Sequence, residues 1–147
     1  MKTGVIIAAV ILIARIALEQ AGAPESVNSI FGVVWLYLVL PVFFAVHLTK
    51  ASVASPFKAV IKDSALFGLY TRLMIMVIYM VAYELRWTSP RFMLNQGGNI
   101  GPDVSFLVGF IFIPVRNVFI WVVVAVVAGT ITGGATLLLR KRTAVPA

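Results

Sequence analysis

The chain contains no cysteine and a single histidine, His47, among its 147 residues. Without thiols there is no disulfide, no thiolate metal site and no cysteine nucleophile. One imidazole cannot supply the several ligands of a zinc centre or the two of a bis-histidine haem. Charge is also scarce. Only 12% of residues are charged and five are acidic, against 61% hydrophobic and a mean hydropathy of +1.04. A soluble domain carries roughly a quarter charged residues, so this chain lacks the polar groups to cover a surface in water. It reads as an all-α integral membrane protein. The longest stretch outside the apolar runs, Glu84 to Asp103, holds 20 residues and leaves no room for a soluble domain.

Catalytic and phosphate-binding patterns are missing too: there is no G-x-S-x-G elbow, no G-x-G-x-x-G and no P-loop, even in the glycine-rich segment Asn95 to Pro102. The only internal echo is Leu40-Pro41-Val42 against Ile113-Pro114-Val115, too little for a repeat. The net charge of +7 comes from basic residues scattered between apolar spans, not gathered with polar residues as a nucleic-acid surface requires.

What is present is a set of long apolar runs. At about 20 residues per crossing, they predict four spans, near residues 4–23, 30–49, 64–85 and 118–139. The first has the look of a secretory signal, with Ala21-Gly22-Ala23 before Pro24, but Arg15 interrupts its apolar stretch and favours a retained helix. Pro41 frees the Tyr37 carbonyl and predicts a kink in the second span. Ser55 and Pro56 mark the start of the third helix, whose first turns, Pro56 to Asp63, separate Phe57, Val60 and Ile61 from Lys58 and Lys62 and read as juxtamembrane. Val104 to Leu139 is too long for one straight span. Pro114 is expected to divide it, leaving residues 104–113 as a short interfacial or re-entrant apolar helix before the fourth span.

Lys2, Lys50, Lys58, Lys62, Arg140, Lys141 and Arg142 fall on one side of this topology, and Arg86, Arg91 and Arg116 on the other. The positive-inside rule puts both termini in the cytoplasm, with a bacterial inner membrane as the expected setting, and Trp35, Trp87 and Trp121 lie towards the outer ends of their spans. Lys50, Lys58 and Lys62 are placed to contact anionic lipid headgroups, and His47 to sit at the same interface.

A few polar residues interrupt the spans. Arg15 lies about 16 Å beyond Gly4, near mid-bilayer, one turn before Glu19. The topology brings Glu19, Glu84 and Arg116 to the outer half as well, so Arg15, Glu19, Glu84 and Arg116 form the candidate intramembrane polar cluster. Arg72 is expected to snorkel towards the cytoplasmic headgroups. Asp63 and Asp103 are separated by the membrane, which excludes an aspartyl dyad. Ala125, Gly129 and Gly133 form a small-residue packing groove on span four, with Thr130, Thr132 and Thr136 nearby, suited to a helix of this chain, a second copy or another membrane protein.

The sequence predicts no cofactor, no metal and no catalytic residue. Its first functional reading is a non-catalytic accessory or scaffold subunit of a membrane assembly. The alternative is a small oligomeric transporter or channel that uses the Arg/Glu cluster, and an enzyme resting on Glu84 or Glu19 alone is a third and weaker one.

Overall fold

The computed structural model describes residues 1–143, without the side chains of 142 and 143, so Arg142 of the charge count lies outside the described side chains. The chain is all-helical, 81% helix with no strand among the described residues. Four helical segments are long and apolar enough to cross a membrane: Lys2–Gln20, Glu25–Lys50, Pro56–Glu84 and Leu107–Lys141. Within them the elements are α1 (Lys2–Gln20), α2 (Glu25–Ile30), a 3-10 turn (Val33–Trp35), α3 (Leu36–Lys50), α4 (Pro56–Glu84), a π-helix (Leu107–Phe112) and α5 (Ile113–Thr143).

Helices α3, α4 and α5 form the tight part of the bundle, and small residues set their spacing. A Cβ at Gly68 of α4 would lie 2.7 Å from the Ala125 Cβ. One at Gly129 would lie 2.2 Å from Ser64 Oγ, and one at Gly133 would lie 2.5 Å from Val60 Cγ1 and 3.1 Å from the Pro41 carbonyl oxygen. Ala125, Gly129 and Gly133 are therefore filled from within the chain, by α4 and by Pro41 of α3. The outward face of α5 is apolar, with Phe119, Val123, Val127 and Ile131 all more than half exposed, as expected where lipid is the solvent.

Two boundaries differ from the sequence expectation. Pro114 does not break the last apolar run, because the π-helix continues straight into α5. A wider π-turn has no i to i−4 hydrogen bond to lose, so a residue without an N–H is accommodated just after it. The resulting segment of 35 residues is about 52 Å long, one continuous helical run instead of a short helix followed by a separate one. The second boundary lies upstream of Pro41. The second apolar segment is interrupted at Phe31 to Trp35, and Pro41 sits inside α3. Gly32 turns the chain there with extended backbone, and α3 begins only at Leu36.

α1 is also displaced. A Cβ at Gly4 would touch Leu40 and Phe67, so Gly4 sits level with Phe67, about three turns into α4, and α1 ends among the loops. Arg15, eleven residues on, thus lies near the loop end and not at mid-depth.

The segment between α4 and the π-helix folds into a cap. Phe92 is wholly buried, its carbonyl accepts hydrogen bonds from the amides of Asn99 and Ile100 at 2.8 Å each, and the Leu94 amide donates to the Ile100 carbonyl at 2.7 Å. Gly97 has φ +83, and a Cβ at Gly98 would collide with the Phe92 backbone at 2.1 Å, so both glycines are required for the turn. The buried Asn99 side chain donates to the carbonyls of Tyr79 and Gly109, 2.8 Å each, and ties α4 to the π-helix. Tyr83 packs edge-on against Phe106 and Phe110, which stack on each other at 4.8 Å. This cap carries Arg91 back onto the bundle.

Candidate functional site

Where α3 falls short, the upper bundle is left open between α1, α4 and α5. The space is a cavity of about 200 Å³ whose lining includes three guanidinium side chains, those of Arg15, Arg72 and Arg91. Gly32, Val33 and Val34 of the broken second segment form one wall, and Leu12, Ile75, Tyr79 and Trp121 supply most of the rest.

Each arginine comes from a different element and is held differently. Arg15 of α1 donates from Nε to Glu19 Oε1 at 2.8 Å, the i,i+4 pair that helical spacing allows, and reaches Glu25 Oε1 from Nη2 at 3.3 Å. Arg91 of the cap places its Nε 2.9 Å from the same Glu19 oxygen, with its guanidinium 4.4 Å from the Phe92 ring centroid. Glu19, whose side chain is completely buried, thus stands between two cations. Its second oxygen and both Nε and Nη2 of Arg91 are buried and make no hydrogen bond among the described residues, so Arg91 and Glu19 meet as an ion pair without hydrogen-bond geometry. Burial pulls the Arg91 guanidinium below its ordinary value; Glu19 opposes that pull and the neighbouring Arg15 adds to it.

Arg72 of α4 forms the floor. Its Nε donates to the Tyr37 hydroxyl at 2.8 Å, and the guanidinium lies 4.2 Å from the Trp121 ring centroid and 5.3 Å from that of Tyr37. The Tyr37 hydroxyl also pairs with Thr71 Oγ1 at 2.8 Å, and Thr71 bonds back to the carbonyls of Phe67 and Gly68. Below this layer the bundle is closed by buried Phe67 and the Gly68–Ala125 contact. An aromatic face under a guanidinium stabilises it without neutralising it, by ~1–2 kcal/mol when desolvated. Among the described residues no carboxylate pairs with Arg72.

The polar cluster read from the sequence is redrawn. Arg15 and Glu19 meet, but Glu84 is exposed at the end of α4, and Arg116 is exposed on α5 with the neighbouring Asn117 Oδ1 at 3.3 Å. Both face away because their helices turn Tyr83 and Val118 inward instead. Arg72 does not snorkel: it is 9% exposed and points to the loop end, where Tyr37 and Trp121 give it partners that the lysine end does not offer. Trp121, expected at the headgroups, is part of that floor. Lys50, Lys58, Lys62 and His47 are all exposed at the opposite end.

Arg91 and Tyr37 are the members that the sequence reading left out. Tyr37 and Thr71 were visible as polar residues at the depth of Arg72, which is the signal for an inward-facing arginine. Arg91 sits in a loop 72 positions from Glu19, and nothing local marks it. Comparison of the chain with protein-family models, with curated proteins and with solved structures finds no match. Its chemistry is therefore read from the site. Guanidinium groups converging on a partly apolar space bind oxyanions, and Glu19 is engaged by two cations.

Proposed function

We propose that the chain crosses a membrane four times, with both ends on the lysine side, and serves as a non-catalytic accessory subunit that holds an anionic ligand in the cavity at its loop end. The observation that carries this reading is the charge balance of the cavity. Three arginines line it, one fully buried carboxylate answers them, and the other, Glu25, is half-exposed at the rim. Uncompensated charge in a low-dielectric bundle is costly, and residues of this kind inside apolar segments mark binding sites with a partner to be named. An acidic ligand is the missing partner.

The test is the thermal stability of the purified protein in detergent against a panel of oxyanions. A ligand present at a hundred times its Kd adds about 2.7 kcal/mol to the folded state, so a saturable upward shift that disappears in Arg72→Met supports the reading. No shift with any anion would refute it. The accessory role adds that gentle solubilisation retains a defined membrane partner.

A second reading, transport, is favoured by one feature. A smaller cavity of about 30 Å³ lies on the other side of Arg72 and Trp121, lined by Pro114 and Asn117, and shares Ile75 and Tyr79 with the first. Movement of Arg72 would join the two. Anion flux into proteoliposomes, abolished by Arg72→Met or Arg15→Leu in normally inserted protein, distinguishes transport from holding.

A further inference from the structure

Resting on the anion-binding reading, we infer that the group bound between Arg15, Arg72 and Arg91 is a phosphomonoester-type phosphate, not a carboxylate or a phosphodiester. The first reason is charge. Three guanidinium groups face one fully buried carboxylate, Glu19, and one half-exposed and therefore screened carboxylate, Glu25, and leave a surplus between one and two. A carboxylate or a phosphodiester offsets one charge, whereas a phosphomonoester carries about −1.5 to −2 near neutral pH.

The second reason is geometry. The three cations reach the cavity from α1, α4 and the cap, so they approach from separate directions. A planar carboxylate offers two oxygens in one plane; a phosphomonoester offers three at tetrahedral angles. The donors left over match that demand. Arg72 commits only Nε to a hydrogen bond among the described residues, which leaves the rest of its fork for a ligand. The third reason is size. About 200 Å³ has room for several water-sized groups, enough for a phosphate and the start of an ester arm. Leu12, Val33 and Ile75 beside the arginines suit an ester arm that is apolar.

The same chemistry is carried by a lipid phosphomonoester or by free phosphate, and two arms separate them. Intact protein carrying Trp35→Phe and Trp87→Phe leaves Trp121, directly beneath Arg72, as sole fluorescence reporter. It is titrated in nanodiscs with phosphatidic acid and, separately, with inorganic phosphate; phosphatidylglycerol and acetate are the monoanionic references. A saturable response to either phosphomonoester-type ligand at least tenfold tighter than to its reference supports the inference. A response in the lipid arm alone assigns a lipid phosphate, and a response in both assigns free phosphate. Arg91→Gln is expected to weaken binding about tenfold to a hundredfold, the effect of one charge-assisted bond. If that variant is poorly folded, Arg91→Lys keeps the charge, loses the fork and still weakens binding. Glu25→Gln releases Arg15 from its half-exposed partner and tightens binding up to about fivefold. Acetate or phosphatidylglycerol binding as tightly as the phosphomonoesters would overturn the inference and leave the anion site standing; no anion binding at all would overturn both.

Discussion

Replacing Glu19 by glutamine removes a charge and almost no volume, which makes it the sharpest probe of the loop end. Glu19 Oε1 lies 2.8 Å from Arg15 Nε and 2.9 Å from Arg91 Nε, and its side chain is fully buried. At an effective dielectric constant of about 20, each close pair of unit charges is worth about 4 kcal/mol before desolvation is subtracted. Breaking a buried pair by removing one partner costs about 3–5 kcal/mol, because the other charge is left buried and alone. In Glu19→Gln Arg91 is left that way while Arg15 keeps its half-exposed partner Glu25, so about 3 kcal/mol is the expected loss, at the low end of that ~3–5 range. For a chain of this size that corresponds to a fall of about 10 °C in melting temperature. The assay is thermal unfolding in detergent, with Glu25→Gln as the internal comparison. Glu25 is half-exposed and its pair with Arg15 is worth below about 1 kcal/mol. Adding Arg91→Gln to Glu19→Gln recovers part of the loss, since one stranded charge is gone. Equal, small effects of Glu19→Gln and Glu25→Gln would refute the buried pairing.

Other perturbations address the packing and the topology. Gly68→Val drives a side chain into Ala125 and is expected to cost about 1–3 kcal/mol in unfolding assays. Asn99→Ala strands the carbonyls of Tyr79 and Gly109 and is expected to cost about 2–3 kcal/mol, with faster amide exchange in residues 92–100 than elsewhere. Tyr37→Phe leaves Arg72 Nε without its acceptor while Thr71 keeps its backbone bonds, so it destabilises by about 1–3 kcal/mol where Thr71→Ser is near neutral. The chain has no cysteine, so single cysteines at Ser52 and Asn95 can be labelled from one side of sealed cells. The proposed topology predicts that an impermeant thiol reagent reaches position 95 and not position 52; the reverse result, or labelling of both, would contradict it.

The composition and the spacing of apolar runs were enough to read four long helices and their loops, because the apolar composition is sustained along the whole length of each helix. Boundaries governed by local register were less legible. Pro114 reads as a break until the π-turn before it is seen, and the shortening of α3 depends on Gly32 and on a 3-10 turn whose residues, Val33, Val34 and Trp35, are as apolar as any helix. The vertical shift of α1 could not be read at all, since it depends on how Gly4 meets Leu40 and Phe67. That shift decides the site. It raises Arg15 and Glu19 to the level of the cap, where Arg91 meets them, and it leaves Glu84 and Arg116 on the outside. The small-residue groove was visible as a packing surface, but its occupant is set by the proline and serine that face it.

The most direct test of the arginine cavity is an experimental structure of the protein with tungstate, a tetrahedral dianion whose position is read from anomalous scattering. The account predicts one ordered peak within hydrogen-bonding distance of at least two of Arg15, Arg72 and Arg91, absent in Arg72→Met. Guanidinium groups turned away from one another, with no peak between them, would contradict it.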